Sequence, residues 1–226
     1  MAPLGEKFSI RRRYIDGKQN TVEPFKKYYI LAEGEKSEIA YFNALKNSHF
    51  FNIRSEIEVI VLERTESDIH NSNPKRLLMQ MMELEKIDDH EYVIVFDSDI
   101  YKTTDGYQQI IDDMMQNNIR PIVTSPCIEL WYILHIKNSL QDHVIPNIGE
   151  IFANEKLNSR HRFTSKLCKD LCKFNPKTTF KVELIKNIRL AIDQASLLES
   201  NLHKLNSKVG TNIHILIKEL LEDNRF

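Results

Sequence analysis

"EYVIVFDSDI", residues 91–100, carries an unbroken apolar run from Tyr92 to Phe96 and then meets Asp97 and Asp99, with only Ser98 between them. A run this short and this apolar reads as a strand buried on both faces. Strand periodicity puts Asp97 and Asp99 on one face and Ser98 on the other. Like charges crowded at the end of a central strand repel, which favours either a raised pKa or a bound cation. The stretch therefore bears on both fold and chemistry.

Short apolar runs alternate with helical patterns on either side of it. "KYYILAEG" (27–34) reads as an earlier strand ending in a Glu33–Gly34 turn, and "KSEIAYFNALKN" (36–47) as a helix with Ile39, Phe42 and Leu45 inward behind Ser37 as cap. "EIEVIVLE" (56–63) is a second strand. Asn73–Pro74 then opens a helix carrying Leu77, Leu78, Met81 and Leu84, with proline where a helix tolerates it best. Downstream of the opening stretch, Thr104–Asp105 caps a helix with Ile110, Ile111, Met114 and Met115 inward, and "IRPIVTS" (119–125) supplies the fourth strand. "CIELWYILHI" (127–136) fits a buried helix or a strand equally well. Beyond it, 163–173, 182–205 and 211–222 read as helices, the last with Ile213, Leu216, Ile217 and Leu220 on one stripe. Segment 11–24 is the candidate disordered stretch, and no internal repeat is visible.

Alternation of this kind builds parallel strands with helices on both faces. The expected class is α/β: a central, mostly parallel sheet flanked by helices, with a helical C-terminal region. The expected organisation is an arm (1–26), the α/β domain (27–135) and the helical region (136–226).

With 226 residues, 42% of them hydrophobic, the chain is long enough for a large domain with a real core. A formal net charge of −1 excludes a bulk positive field, so any contact with nucleic acid rests on local patches. "MAPLGEKFSI" (1–10) has no apolar signal core, and no later run approaches the roughly 18 apolar residues of a spanning helix. A cytoplasmic protein without a membrane association is expected. Cys127, Cys168 and Cys172 form no C-x-x-C pair and leave one odd, which favours reduced thiols over a disulfide frame or a zinc site.

In open parallel sheets, ligands bind beyond the carboxyl ends of the strands, where Glu33, Asp97 and Asp99 all fall. Glu38, in the first turn of the following helix, is close enough to join them. Oxygen-only donors suit Mg²⁺ or Mn²⁺ rather than zinc. Glu129, in "SPCIELW", is either an outer carboxylate of this rim or a helix residue paired with a neighbouring arginine. Trp131 sits among apolar neighbours as a core residue, and Cys168 and Cys172 read as packing groups.

"ILAEGEKSE" (30–38) followed by "VIVFDSDI" (93–100) resembles the glutamate–glycine turn and Asp-x-Asp strand end of Toprim domains, which occur in topoisomerases, primases and OLD-family nucleases. More narrowly, "AEGEKSEIAYFNAL", "VFDSD" and "SPCIELWYILH" together resemble the RloB-like family, also represented by the AbiLii abortive-infection protein. The resemblance implies a Mg²⁺- or Mn²⁺-dependent nuclease acting in prokaryotic anti-phage defence. Its substrate would be RNA, transfer RNA included, or DNA, and its partner an ABC-type or AAA-type ATPase; a homodimer is also possible. Glu33 matches the Toprim glutamate, a general base or metal ligand, Asp97 and Asp99 match the metal pair, and Glu38 corresponds to the second glutamate of OLD-like nucleases. Ala32 and Ile100 depart from the pattern, and Ile100 leaves open whether one or two metals bind. A catalytically idle binding module and an enzyme of nucleotide transfer are the rival classes.

Cleavage of a phosphodiester gathers negative charge that cations must offset. Lys36, near the amino end of a helix, is the nearest candidate. Arg11–Arg13 and the Arg160, Arg162, Lys166 and Lys169 set are the others, although a solvated helix face explains the lysines equally well. His161 either assists a leaving group or is an exposed loop residue.

Overall fold

The computed structural model describes residues 26–34, 36–50, 57–62, 73–102, 105–159, 161–175 and 180–222. Arg11–Arg13, segment 11–24, Thr104 and Arg160 lie outside the described residues. The expected α/β architecture is present. Strands β1 (Lys26–Ala32), β2 (Ile57–Val61), β3 (Glu91–Asp97) and β4 (Arg120–Ser125) run parallel, and a short β5 (Gly210–Thr211) joins antiparallel to β4, in the order β2-β1-β3-β4-β5.

The period of two divides the sheet residues between two cores. Tyr28, Ile30 and Ala32 with Val93 and Val95 face α1 (Ser37–Lys46), α4 (Glu129–Ile133), α6 (Phe163–Cys172), α7 (Ile188–Ala195) and α8 (Ile213–Glu222). Tyr29 and Leu31 with Tyr92, Ile94 and Phe96 face α2 (Pro74–Met82) and α3 (Tyr107–Gln116). A further helix, α5 (Ile148–Ala153), packs on α6. Ile30, Val93 and Ile94 are wholly buried, as a strand covered on both sides requires.

Asn73 accepts from the Lys75 amide at 2.9 Å and Pro74 occupies the first turn of α2, as the sequence predicts. Other boundaries differ. Lys36, not Ser37, is the N-terminal flank of α1, and no side chain caps it. Gly106, at φ 102, rather than Asp105, precedes α3: that position takes a left-handed backbone, which glycine adopts without strain. Met115 is 53% exposed on the outer side of α3, and Leu84 lies past the end of α2, half-buried. "CIELWYILHI" resolves as the short buried helix α4, with Trp131 wholly buried in the core. The expected helix 182–205 is instead a 3-10 turn (Val182–Asn187), α7 and a second 3-10 turn (Leu202–Lys204).

Thr211 is a strand residue rather than the start of the last helix, and it closes the outer edge of β4. Its hydroxyl donates to Val123 O at 3.0 Å, while the Asn212 side chain accepts from the Val123 amide at 2.7 Å and donates to Pro121 O at 3.0 Å. Arg120 at the start of β4 forms a two-bond ion pair with Glu219 of α8. Between α4 and α7, buried Gln194 donates to Leu134 O and Ile136 O at 2.7 and 2.9 Å and accepts from the Leu140 amide at 2.8 Å. Among the described residues no helix is long and apolar enough to cross a membrane.

Two features set testable limits on stability. A Cβ on Gly210 would lie 2.0 Å from the Glu199 carbonyl oxygen, which accepts from the Thr211 amide at 2.9 Å. Gly210→Ala should cost about 1–3 kcal/mol in denaturant unfolding, as overpacking against backbone does. His135, wholly buried, donates through Nδ1 to Trp131 O at 2.9 Å, and burial lowers its pKa to about 4. The unfolded chain takes up that proton near the ordinary histidine value of about 6.5. Stability contributed by neutral His135 is thus present above that value and lost as pH falls toward about 4. A His135→Gln protein, compared with the parent over this range, should show a shallower loss.

Candidate metal centre

Parallel pairing of β1 and β3, with Ala32 opposite Val95, brings both strand ends out of the sheet side by side. The Glu33 amide donates to Val95 O at 2.8 Å, extending the ladder one residue beyond β1. The Asp97 amide donates to Glu33 Oε2 at 3.1 Å. From the other side, Ser98 and Asp99 donate through their amides to Thr124 O and Pro126 O at 3.0 and 3.1 Å. The Ile128 amide then donates to Asp97 Oδ1 at 2.8 Å, while Oδ2 has no donor among the described residues.

Asp97 and Asp99 do reach one rim, but not through strand alternation. β3 ends at Asp97, and Asp99 opens a 3-10 turn, Asp99–Lys102, so the turn carries it round. Glu38, 4% exposed, reaches back from α1 to lie against the Glu33–Gly34 turn: a Cβ on Gly34 would sit 1.8 Å from Glu38 Oε2. Glu129 opens α4, is 5% exposed, and forms no ion pair with any described residue. The arginine pairing considered for it is absent there.

Glu33, Glu38, Asp97, Asp99 and Glu129 all line one cleft of about 370 Å³, and Lys36 and Arg162 line it too. Burial pushes the Asp97 carboxyl well above the ordinary carboxylate range, and the charges of Glu38, Glu129, Glu33 and Asp99 push the same way. Burial, with Glu129 and Asp97, likewise raises the Cys127 thiol. Among the described residues, no three carboxylate, imidazole or thiol groups stand close enough together to hold a metal ion as they are placed. The donor set nonetheless fits a hard divalent cation: it is all oxygen, it is crowded with like charge, and Asp97 Oδ2 is left without a donor.

Lys166 and Lys169 do not line the cleft. Lys166 pairs with Asp170 one turn on, and Lys169 is exposed on the same helix. His161 is half-buried and also away from it, its amide bonded to Asn158 Oδ1 at 2.9 Å. Cys168 and Cys172 lie side by side, sulfur to sulfur 3.8 Å. Asn154, Ser165 and the Ile128 amide were not singled out by the sequence. Asn154 ends α5 in a left-handed conformation (φ 46) and accepts from the Thr164 amide at 3.1 Å, capping α6, and no local pattern announces a cap from another helix.

Mutual repulsion at this rim has a measurable consequence. Mg²⁺ or Mn²⁺ should raise the melting temperature through binding linkage. Asp97→Asn removes the most strongly opposed charge, so the metal-free variant should melt at or above the parent and respond less to the ion. A melting curve indifferent to millimolar metal in both proteins would exclude the centre.

The RloB-like protein family matches residues 28–220. No curated protein and no solved structure gives a significant match. The matched span takes in β1 from Tyr28 on, β3 and β4, every carboxylate of the cleft, and the helices through α7 and most of α8. The chain belongs to the RloB-like family.

Proposed function

We propose that this protein is a Mg²⁺- or Mn²⁺-dependent nuclease whose site is the acidic cleft at the ends of β1, β3 and β4. The observation that carries the reading is the carboxyl of Asp97, gripped by the Ile128 amide on one oxygen and open on the other, with four further carboxylates around it. An Mg²⁺ or Mn²⁺ ion held by Asp97, Asp99, Glu33 and Glu38 would supply a Lewis acid for the phosphoryl oxygen and a more acidic bound water.

The chain's own residues do the rest. Glu33 takes the proton of the attacking water as a new phosphorus–oxygen bond forms. The ester bond to the departing sugar oxygen breaks, and that oxygen recovers a proton from solvent. Lys36, at the entrance of α1, and Arg162 offset charge on the phosphate. Glu129, close enough to raise the Asp97 carboxyl, is the outer carboxylate and orients water. Lys166 and Lys169, off the cleft on α6, serve phosphates farther along the strand.

The wider role rests on the family resemblance: an effector of prokaryotic anti-phage defence, acting in the cytoplasm, that cleaves RNA such as transfer RNA, or DNA, under the control of an ABC-type or AAA-type ATPase. A second reading, a catalytically inactive module of such a complex, draws on the open spacing of the carboxylates among the described residues.

Glu33→Gln and Asp97→Asn keep shape while removing one charge each. In a nuclease, each should lower cleavage and host toxicity by at least about a hundredfold, the scale of a lost general base, while the melting curve stays intact. Full phage protection by a well-folded Glu33→Gln protein would sink the nuclease reading in favour of the inactive module.

A further inference from the structure

One part of the cleft wall comes from neither the strand ends nor α1. It is built by Asn154 at the end of α5, and by Arg162 and Ser165 at the start of α6. The first amides of a helix lack partners within the helix, and the axis dipole makes that end favourable to anions. In α6 the Phe163 amide is taken by Glu155 O at 2.9 Å and the Thr164 amide by Asn154 Oδ1 at 3.1 Å. The Ser165 amide is left without a partner among the described residues. So is its hydroxyl, although Ser165 is only 3% exposed.

A buried hydroxyl with no acceptor destabilises the fold, and alanine would fill the same space without that defect. Ser98, just past β3, and Ser125, at the end of β4, share that defect, but of these three serines it is Ser165 that lines the cleft. Arg162, at the N-terminal flank of α6, donates through Nη1 to Asn154 O at 3.1 Å, so Asn154 steadies both the helix start and the guanidinium. Its remaining nitrogens have no acceptor among the described residues. Amide, hydroxyl and guanidinium therefore share one wall of a cleft whose other groups are mostly carboxylates. Only an anion that can also bridge to a cation at those carboxylates fits both sets, and a phosphate does.

We propose that the start of α6 is a phosphate-binding subsite, in which Ser165 donates to a non-bridging oxygen of a nucleic acid phosphate and Arg162 offsets its charge. The identity of the ligand rests on the nuclease reading; the subsite itself does not require cleavage. It lies on the same cleft as Asp97 and Glu33, so it positions the strand to be cut rather than forming a separate site. Ser165 is here a substrate-contacting residue.

The test uses the full chain in a Glu33→Gln background, which holds ligand without cutting it, with Ca²⁺ present. A labelled transfer RNA pool and a labelled DNA duplex are titrated separately, and fluorescence anisotropy reports binding. Ser165→Ala and Arg162→Gln should each weaken binding of the preferred ligand roughly tenfold, the size expected for one hydrogen bond to a charged group. Ser165→Ala should at the same time melt at or above its parent. Binding unchanged in a folded Ser165→Ala protein overturns the subsite, even if the wild type cleaves. Weakened binding in both variants upholds it, even if the wild type cleaves neither nucleic acid, in which case the nuclease reading alone falls. If Ser165→Ala melts below its parent, the hydroxyl is structural and the proposal fails.

Discussion

Two hydrogen bonds at Asp97 hold three strand ends together. Its amide donates to Glu33 at the end of β1, and its carboxylate accepts from the Ile128 amide beyond β4, so the middle strand is tied to both neighbours through one residue. That bond to the carboxylate favours the ionised form, while burial and the surrounding carboxylates oppose it more strongly. The geometry is therefore fixed by groups that electrostatics alone would drive apart. Packing supplies the force that keeps them in place: Val93 to Phe96 are buried on both faces, and a strand anchored over that length does not yield at its end.

The features legible in the sequence were those with strong periodicity. β1, β3 and β4 are short apolar runs with no competing pattern, and the Asn73–Pro74 start of α2 follows from the missing amide of proline. Glu33, Asp97 and Asp99 could be placed on one rim because strand ends in a parallel sheet point the same way. What failed was local or very distant. The caps of α1 and α3 depend on backbone angles that residue type alone does not fix, as Gly106 at φ 102 shows. β5 is only two residues long, and its pairing with β4 is invisible to any window short enough to show a period.

The wall made by α5 and α6 was illegible for a related reason. Arg162 was found because arginines stand out, but Ser165 looks like any helix serine until the fold carries it to the cleft. Likewise Lys166 and Lys169 share a sequence neighbourhood with Arg162 and yet lie off the cleft: Lys166 is turned about 100° round the helix from Ser165, and Lys169 shares the Ser165 face but sits a turn farther from the helix start. Spacing along the chain separated none of these cases. Their separation comes from how α6 is seated, its first turn bonded to Asn154 and its body packed on α4 and α5.

The short β5 also orders events in the life of the chain. Thr124 and Thr211, which share a hydrogen bond between hydroxyls, are 87 residues apart. During synthesis β4 is made long before the segment that covers it, and until then it is a bare strand edge able to template pairing with another chain. α4, which carries Glu129, likewise packs on α6 and α7, both made later. A growing chain therefore holds Glu33 and Asp97 well before it holds the wall that completes their cleft.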